Sequence, residues 1–197
     1  FKKKKIYNDL KKDNYTLYYQ PIVDFKHNRV RSVEALLRLR KDGKLLTPYH
    51  FMKDIEDANM MKEITLWVLK RVIKDYNIIR CYDNINEKDF YISLNVSFNE
   101  IKDREFLKKI VNDNKIIKNS ICLEIVEKFV VGEIEKIQEN INFLQDNGIL
   151  IAIDDFGVEY SNLDLLKKID SNIIKLDKFF ADGINDSEIS LKVIDFI

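Results

Sequence analysis

The chain has 197 residues, 46% hydrophobic and 11% aromatic, which suits one domain with a substantial core. Its 33 basic and 33 acidic residues balance to a formal net charge of zero, which argues against a nucleic-acid polymer as partner. No apolar run approaches the ~18 residues of a spanning helix, and the charged N-terminus leads into no signal-peptide segment. Cys81 and Cys122 lack metal-type spacing and are expected to pack as reduced thiols, so the expected setting is a cytoplasmic domain, whatever membrane anchor its parent protein carries.

In chain order, Lys2 to Lys5 are expected on the solvated face of an N-terminal helix whose body is Ile6 to Lys12, ended by Asp13-Asn14. Thr16 to Asp24 alternates as a strand, and Lys26-His27-Asn28 turns the chain into a second strand, Val30 to Arg40, so this pair is expected to be antiparallel. Thr47-Pro48 opens a helix carrying Phe51, Met52 and Ile55. The next helix shows Ile64, Trp67, Val68, Arg71 and Val72 at helical spacing. From there strands and helices alternate. Phe90 to Val96 is a strand, followed by the capping-box pattern Ser97-x-x-Glu100. Ile121 to Ile125 is a strand, Ile134 to Leu144 a helix closed by Asn147-Gly148, and Leu150 to Asp154 a strand. A short helix capped by Ser161 and Asp164, a strand from Ile173 to Leu176 and a helix from about 187 complete the pattern. The alternation predicts a parallel sheet with short crossovers and six strands in all.

Five apolar runs end in acidic, amide or lysine side chains: VEALLR, SLNVS, LEIVE, IAIDDFG and IKLD. They place Glu34, Asn95, Glu124 with Glu127, Asp154 with Asp155, and Lys175 with Asp177 at strand ends. An unpaired interior carboxylate is costly, so packing alone does not account for the pattern. Parallel strands that close toward a barrel bring such ends to one rim. There, carboxylates with one amide oxygen and one lysine make a hard-cation site suited to phosphate chemistry. Taken singly, each residue also fits a salt-bridged strand end, a turn or a surface position; it is their joint order that favours a site. Adjacent aspartates on a strand face opposite ways, so Asp154 and Asp155 can act together only where the strand breaks, and Gly157 is the expected break. His27 and His50 lie outside the set and are expected at turns and surface.

These segments, with YYQPIVD near the start and IIKLDKFF near Phe180, resemble the EAL family of cyclic-di-GMP phosphodiesterases, whose signature stands here as Glu34-Ala35-Leu36. The resemblance implies a modified α/β (β/α)8 TIM-like barrel with an antiparallel first strand, and a single EAL domain over residues 1–197. It implies a hydrolase opening cyclic-di-GMP to linear pGpG with two divalent ions, Mg²⁺ or Mn²⁺. Glu34, Asn95, Glu124 and Asp154 match ligands of one ion, and Asp154 with Asp155 those of the second. Lys175 matches a lysine beside the nucleophilic water, and Glu127 a glutamate that holds the loop after Asp155. Gln20, Leu36 and Arg38 match substrate-contacting positions. In the parent protein, regulatory or GGDEF-type domains are the expected neighbours.

Three departures stand against the family pattern. Val126 replaces a threonine in LEIVE, and the loop DDFGVEYSN carries Glu159 for a glycine and Asn162 for a serine. The family's later glutamate, regarded as the general base, and its terminal glutamine-glycine segment have no counterpart. Six strands are short of eight, so one or two β-α units are expected beyond this stretch, and an open sheet edge is expected to favour a homodimer. A weak or inactive EAL domain that senses cyclic-di-GMP or pairs with a protein is the alternative reading.

Overall fold

The computed structural model describes residues 1–82, 85, 89–112, 115–126, 134–156 and 169–176. Its centre is a curled half-barrel sheet built from β1 (Tyr15–Asp24), β2 (Arg29–Lys41), β3 (Lys44–Leu46), β4 (Tyr91–Val96), β5 (Ile121–Val126), β6 (Leu150–Phe156) and β7 (Ile173–Leu176). The order is β1-β2-β4-β5-β6-β7, with β3 paired to β2 off this path. β1 runs antiparallel to β2, while β2, β4, β5, β6 and β7 pair in parallel.

The sheet has two unlike faces, because successive strand residues point to opposite sides. Toward the helices it presents Val33, Ala35, Leu37, Ile92, Leu94, Leu123, Ile125, Ile151 and Ile153, all buried in the main core. Each of the valine, leucine and isoleucine side chains among them contributes about 1.5–3 kcal/mol on burial. The other face carries a separate small cluster of Tyr91, Cys122 and Ala152. Among the described residues the helices are α1 (Lys2–Lys11), α2 (Met52–Asp57), α3 (Met61–Ile79), α4 (Phe98–Ile101), α5 (Arg104–Asn112) and α6 (Ile134–Asp146), and each contributes residues to the main core. Among the described residues, no helix is long and apolar enough to cross a membrane.

Several local expectations are met. Glu100 accepts hydrogen bonds from the Ser97 backbone N–H at 2.8 Å and from its hydroxyl at 2.6 Å, closing the capping box. Helix α6 ends in a Schellman arrangement, with Ile149 N–H on the Leu144 carbonyl and Gly148 N–H on that of Gln145. His27 is a turn residue, its Nδ1 2.7 Å from Asp24 Oδ2.

Other expectations need correction. There are seven strands in the described residues, not six, because Asp42 and Gly43 form a tight turn that returns three residues as β3. Both have positive φ, 50° and 72°, the requirement of a two-residue hairpin turn. The helix expected after Thr47-Pro48 is a 3-10 turn, Pro48–His50, followed by α2. The segment after Ser97 is two helices, because Asp103 starts α5 by accepting from Phe106 N–H at 3.1 Å. On α3 the buried stripe is Ile64, Thr65, Val68, Leu69, Val72 and Tyr76, with Trp67 packed at its edge. Arg71, at helical spacing with that stripe, is exposed and bonded to Asp75, which also accepts from Tyr19 Oη at 2.8 Å and so ties β1 to α3. Cys81 is exposed rather than packed. The two helices expected after 160 lie outside the described residues.

Two glycines separate strain from space. An added Cβ at Gly148 (φ 76°) meets Lys118 Cγ at 3.0 Å and Lys118 Cα at 3.1 Å, whereas at Gly43 nothing lies within 4 Å. Gly43→Ala is expected to cost about 1 kcal/mol of left-handed strain, and Gly148→Ala about 2 kcal/mol or more, by urea denaturation. Equal costs would show that the Lys118 contact yields freely. The thiols give a second test. Cys122 is fully buried, and that burial pushes its thiol well above the ordinary range. A thiol reagent is expected to modify Cys81 in the folded chain and Cys122 only after unfolding. Immediate reaction of both would contradict the inner-face packing.

Candidate active site

The site grows from the inner face of the sheet. Strand pairing sets Glu34 beside Ser93, Asn95 beside Glu124, Glu124 beside Ala152, and Val126 beside Asp154. Ser32, Tyr91, Ser93, Cys122 and Ala152 form a buried floor of mostly small residues, and the acidic side chains follow at the C-terminal ends of the strands. That is the rim at which parallel barrels carry chemistry.

At the centre of the rim stands the Lys175 ammonium. Its Nζ lies 2.9 Å from Glu124 Oε2, 3.0 Å from Asp154 Oδ1 and 3.3 Å from Glu34 Oε2. Three carboxylates from β2, β5 and β6 thus surround one cation from β7. Asn95 joins from β4, its Nδ2 donating to Glu34 Oε1 at 3.0 Å. The five strand ends singled out in the sequence therefore meet at one place. Around the ammonium the carboxylates stand at hydrogen-bond spacing, and among the described residues no three His, Cys, Asp or Glu side chains close to metal-ligand spacing.

The electrostatics follow from the count. Burial alone would pull Lys175 down, but its hydrogen bonds and charge pairing with Glu124 and Asp154 outweigh it and hold the lysine above its ordinary range. Glu124 is 1% exposed, and burial pushes its carboxyl up. The Lys175 hydrogen bond opposes that shift without cancelling it, while the nearby Glu34 charge adds to it. Three carboxylates against one ammonium leave an excess of negative charge. Oxygen donors in such excess fit a hard divalent cation better than zinc, which prefers nitrogen and sulfur.

Asp155 is reached by a break in β6. The β6–β7 register shifts between Ile153 and Phe156, and Asp155 has a φ of 53°. Ile153 and Phe156 both join the main core although three residues apart, so the strand carries one extra residue, a β-bulge. The break is therefore already present at Asp155, earlier than the expected Gly157, which lies outside the described residues. Asp154 is half-buried in the cluster and Asp155 is exposed.

The substrate-contacting candidates line the first two strands. Gln20 is exposed on β1, directly opposite Glu34, and Leu36 is opposite Tyr18. Leu36 and Arg38 are half-buried on the same side of β2 as Glu34, at i+2 and i+4, and Arg38 donates to the Leu37 carbonyl at 2.9 Å. Glu127, Asp177, Glu159 and Asn162 lie outside the described residues. The sequence reading did not single out the floor residues, although the alternation around Ser93 and Cys122 carries that signal. It also passed over a cleft of about 510 Å³ lined by Glu56, Asn59, Met61, Lys62, Ser97 and Asn99. The cleft contains none of the three carboxylates and is a feature separate from the strand ends.

The EAL domain family profile matches residues 3–197. The cyclic di-GMP phosphodiesterase PdeA of Borreliella burgdorferi is 31% identical over 189 residues, 94% of this chain and 28% of that protein. The chain spans about a quarter to a third of the length of the curated relatives it matches. In three dimensions it is similar to an EAL domain protein from Listeria monocytogenes EGD-e, with a TM-score of 0.81 and 26% identity over 97% of this chain and 74% of that one. It is also similar to the EAL enzyme Bd1971 in its cAMP- and cyclic-di-GMP-bound form, with a TM-score of 0.79 and 26% identity over 98% of this chain and 53% of that one. With its signature residues gathered on one rim and its sequence matched almost end to end, the chain belongs to the EAL domain family.

Proposed function

We propose that this domain is a phosphodiesterase that hydrolyses cyclic-di-GMP to linear pGpG with two divalent ions, Mg²⁺ or Mn²⁺. The observation that carries the reading is the convergence of Glu34, Glu124 and Asp154 within 3.3 Å of the Lys175 ammonium. The name of PdeA and the cyclic-di-GMP bound to Bd1971 support the choice of substrate. Regulatory or GGDEF-type neighbours in the parent protein are part of the same proposal.

Glu34, Asn95, Glu124 and Asp154 would hold one ion, and Asp154 with Asp155 the second. When bound, such a pair supplies charge stabilisation on the phosphate and acidifies water. The chain's own groups do the rest. Arg38 grips a phosphate through its planar fork, and Gln20 and Leu36 contact the nucleotide beside Glu34. Lys175 favours hydroxide at the attacking position and offsets charge that develops on the phosphoryl oxygens. As the water gives up a proton and its oxygen bonds to phosphorus, the P–O3′ bond breaks and the leaving oxygen takes up a proton, so that one water is consumed per bond opened. Opening one of the two diester bonds yields pGpG.

The test is Asp154→Asn in the full-length protein, followed by chromatography of pGpG with Mg²⁺ or Mn²⁺. Turnover is expected to fall by at least about 10²–10³-fold, the scale of losing one preorganised electrostatic group, with circular dichroism unchanged. Parental turnover by the variant would overturn the assignment. Tight cyclic-di-GMP binding by the parent without any pGpG would favour a sensor, the outcome to which Glu159 in the loop after Asp155 points.

A further inference from the structure

We propose that Lys175 and a divalent cation compete for Glu34, Glu124 and Asp154, so that the lysine is an internal counter-ion that ties the strand ends together and lowers their apparent metal affinity. The inference rests on the metal-dependent reading above and adds a role for Lys175 that precedes any chemistry.

The geometry is specific. A lysine ammonium has three N–H donors and no acceptor. Here three carboxylate oxygens lie 2.9, 3.0 and 3.3 Å from that nitrogen, one each from β5, β6 and β2. One side chain on β7 therefore bonds to three other strands. Divalent ions of the Mg²⁺ and Ca²⁺ type draw oxygen ligands in to about 2.0–2.6 Å. The three oxygens cannot close to that spacing around an ion while an ammonium stands among them, and two cations in one small cluster repel. Metal binding must push Nζ aside. The lysine can yield, since its side chain is 23% exposed and sits on a flexible four-carbon stem. The ionised carboxylates favour a cation beside them, because Glu124 is 1% exposed and an unpaired buried carboxylate is costly. The lysine supplies that positive charge until an ion does.

Competition of this kind multiplies the intrinsic affinity by the fraction of molecules ready to bind, and so lowers it. Two readouts in the full-length protein test it without any measurement of activity: the melting temperature in chelator, and Mn²⁺ affinity by calorimetry. Lys175→Met is expected to melt about 4 °C or more below the parent in chelator. It is also expected to bind Mn²⁺ roughly tenfold more tightly and to gain more in melting temperature from the ion. Lys175→Arg keeps a cation and is expected to hold the parental melting point in chelator more closely than the methionine variant. A Lys175→Met protein that folds only with Mn²⁺ supports the proposal, since the ion then replaces the ammonium. Mn²⁺ binding no tighter than the parent's, an unchanged melting point in chelator, or a variant insoluble with and without Mn²⁺ overturns it. A parent that binds no Mn²⁺ overturns the metal-dependent function as well, whereas a parent that binds and a methionine variant that gains nothing overturns the competition alone.

Discussion

Excess negative charge held at the ends of adjacent strands is the constraint on which the rest of the structure depends. Glu124 sits at 1% exposure, between Asn95 on β4 and Ala152 on β6. An ionised carboxylate in that position is tolerable only if a cation meets it, and breaking such a pair typically costs about 3–5 kcal/mol. Lys175 meets it, together with Glu34 and Asp154. The small residues beneath them have a related cause. Ser32, Ser93, Cys122 and Ala152 leave the curled sheet narrow on its inner side, so that strand ends from β2 to β7 can reach one nitrogen.

Stability and chemistry are divided between the two faces of one sheet. The outer face is packed with isoleucine, leucine and valine against the helices, and it carries the burial that opposes chain entropy. The inner face spends little area on packing. Register links the two: a slip of one residue would send Glu124 into the aliphatic core and Ile125 into the rim. Each outer isoleucine that anchors a strand therefore also fixes which way its neighbouring carboxylate faces. The β6 bulge breaks this alternation at the paired aspartates, whereas the other register shift, at Ile22 and Val23 on β1, lies away from them.

Much of the fold was legible because alternation, capping and turn chemistry are written in neighbouring residues. The strands ending at Val96 and Leu176, the Ser97–Glu100 capping box and the Asn147-Gly148 stop are all local signals. Strand β3 was missed: Asp42-Gly43 is a strong hairpin turn, but three residues are too few to show alternation. Arg71 has helical spacing with Val68 and Val72, yet its charge finds Asp75 at the surface. The break at Asp155 was less legible, because nothing in an aspartate's neighbours states that its φ will be positive. The site itself was legible only as a set. Glu34 and Lys175 are separated by 141 positions, and no spacing rule connects them. The family resemblance supplied that connection, and the distances around Nζ gave it physical content. Lys175 read alone would be a surface residue, whereas the structure makes it the centre of the cluster.

The identity of that central residue also matters for what the rim can do. A compact ammonium can be ringed by three carboxylate oxygens, one per N–H, which the planar fork of an arginine cannot match. The same compactness and the flexible stem allow the charge to move by a few ångströms without disturbing β7. Overall neutrality hides this asymmetry: 33 basic and 33 acidic residues cancel across the chain, while the rim keeps three anions to one cation. A surface can lose such an imbalance to counter-ions and water. A rim floored by Cys122 and Ala152, both essentially closed to solvent, cannot do so on its inner side. The imbalance is therefore a property of the fold, set by which strand ends the curled sheet brings together.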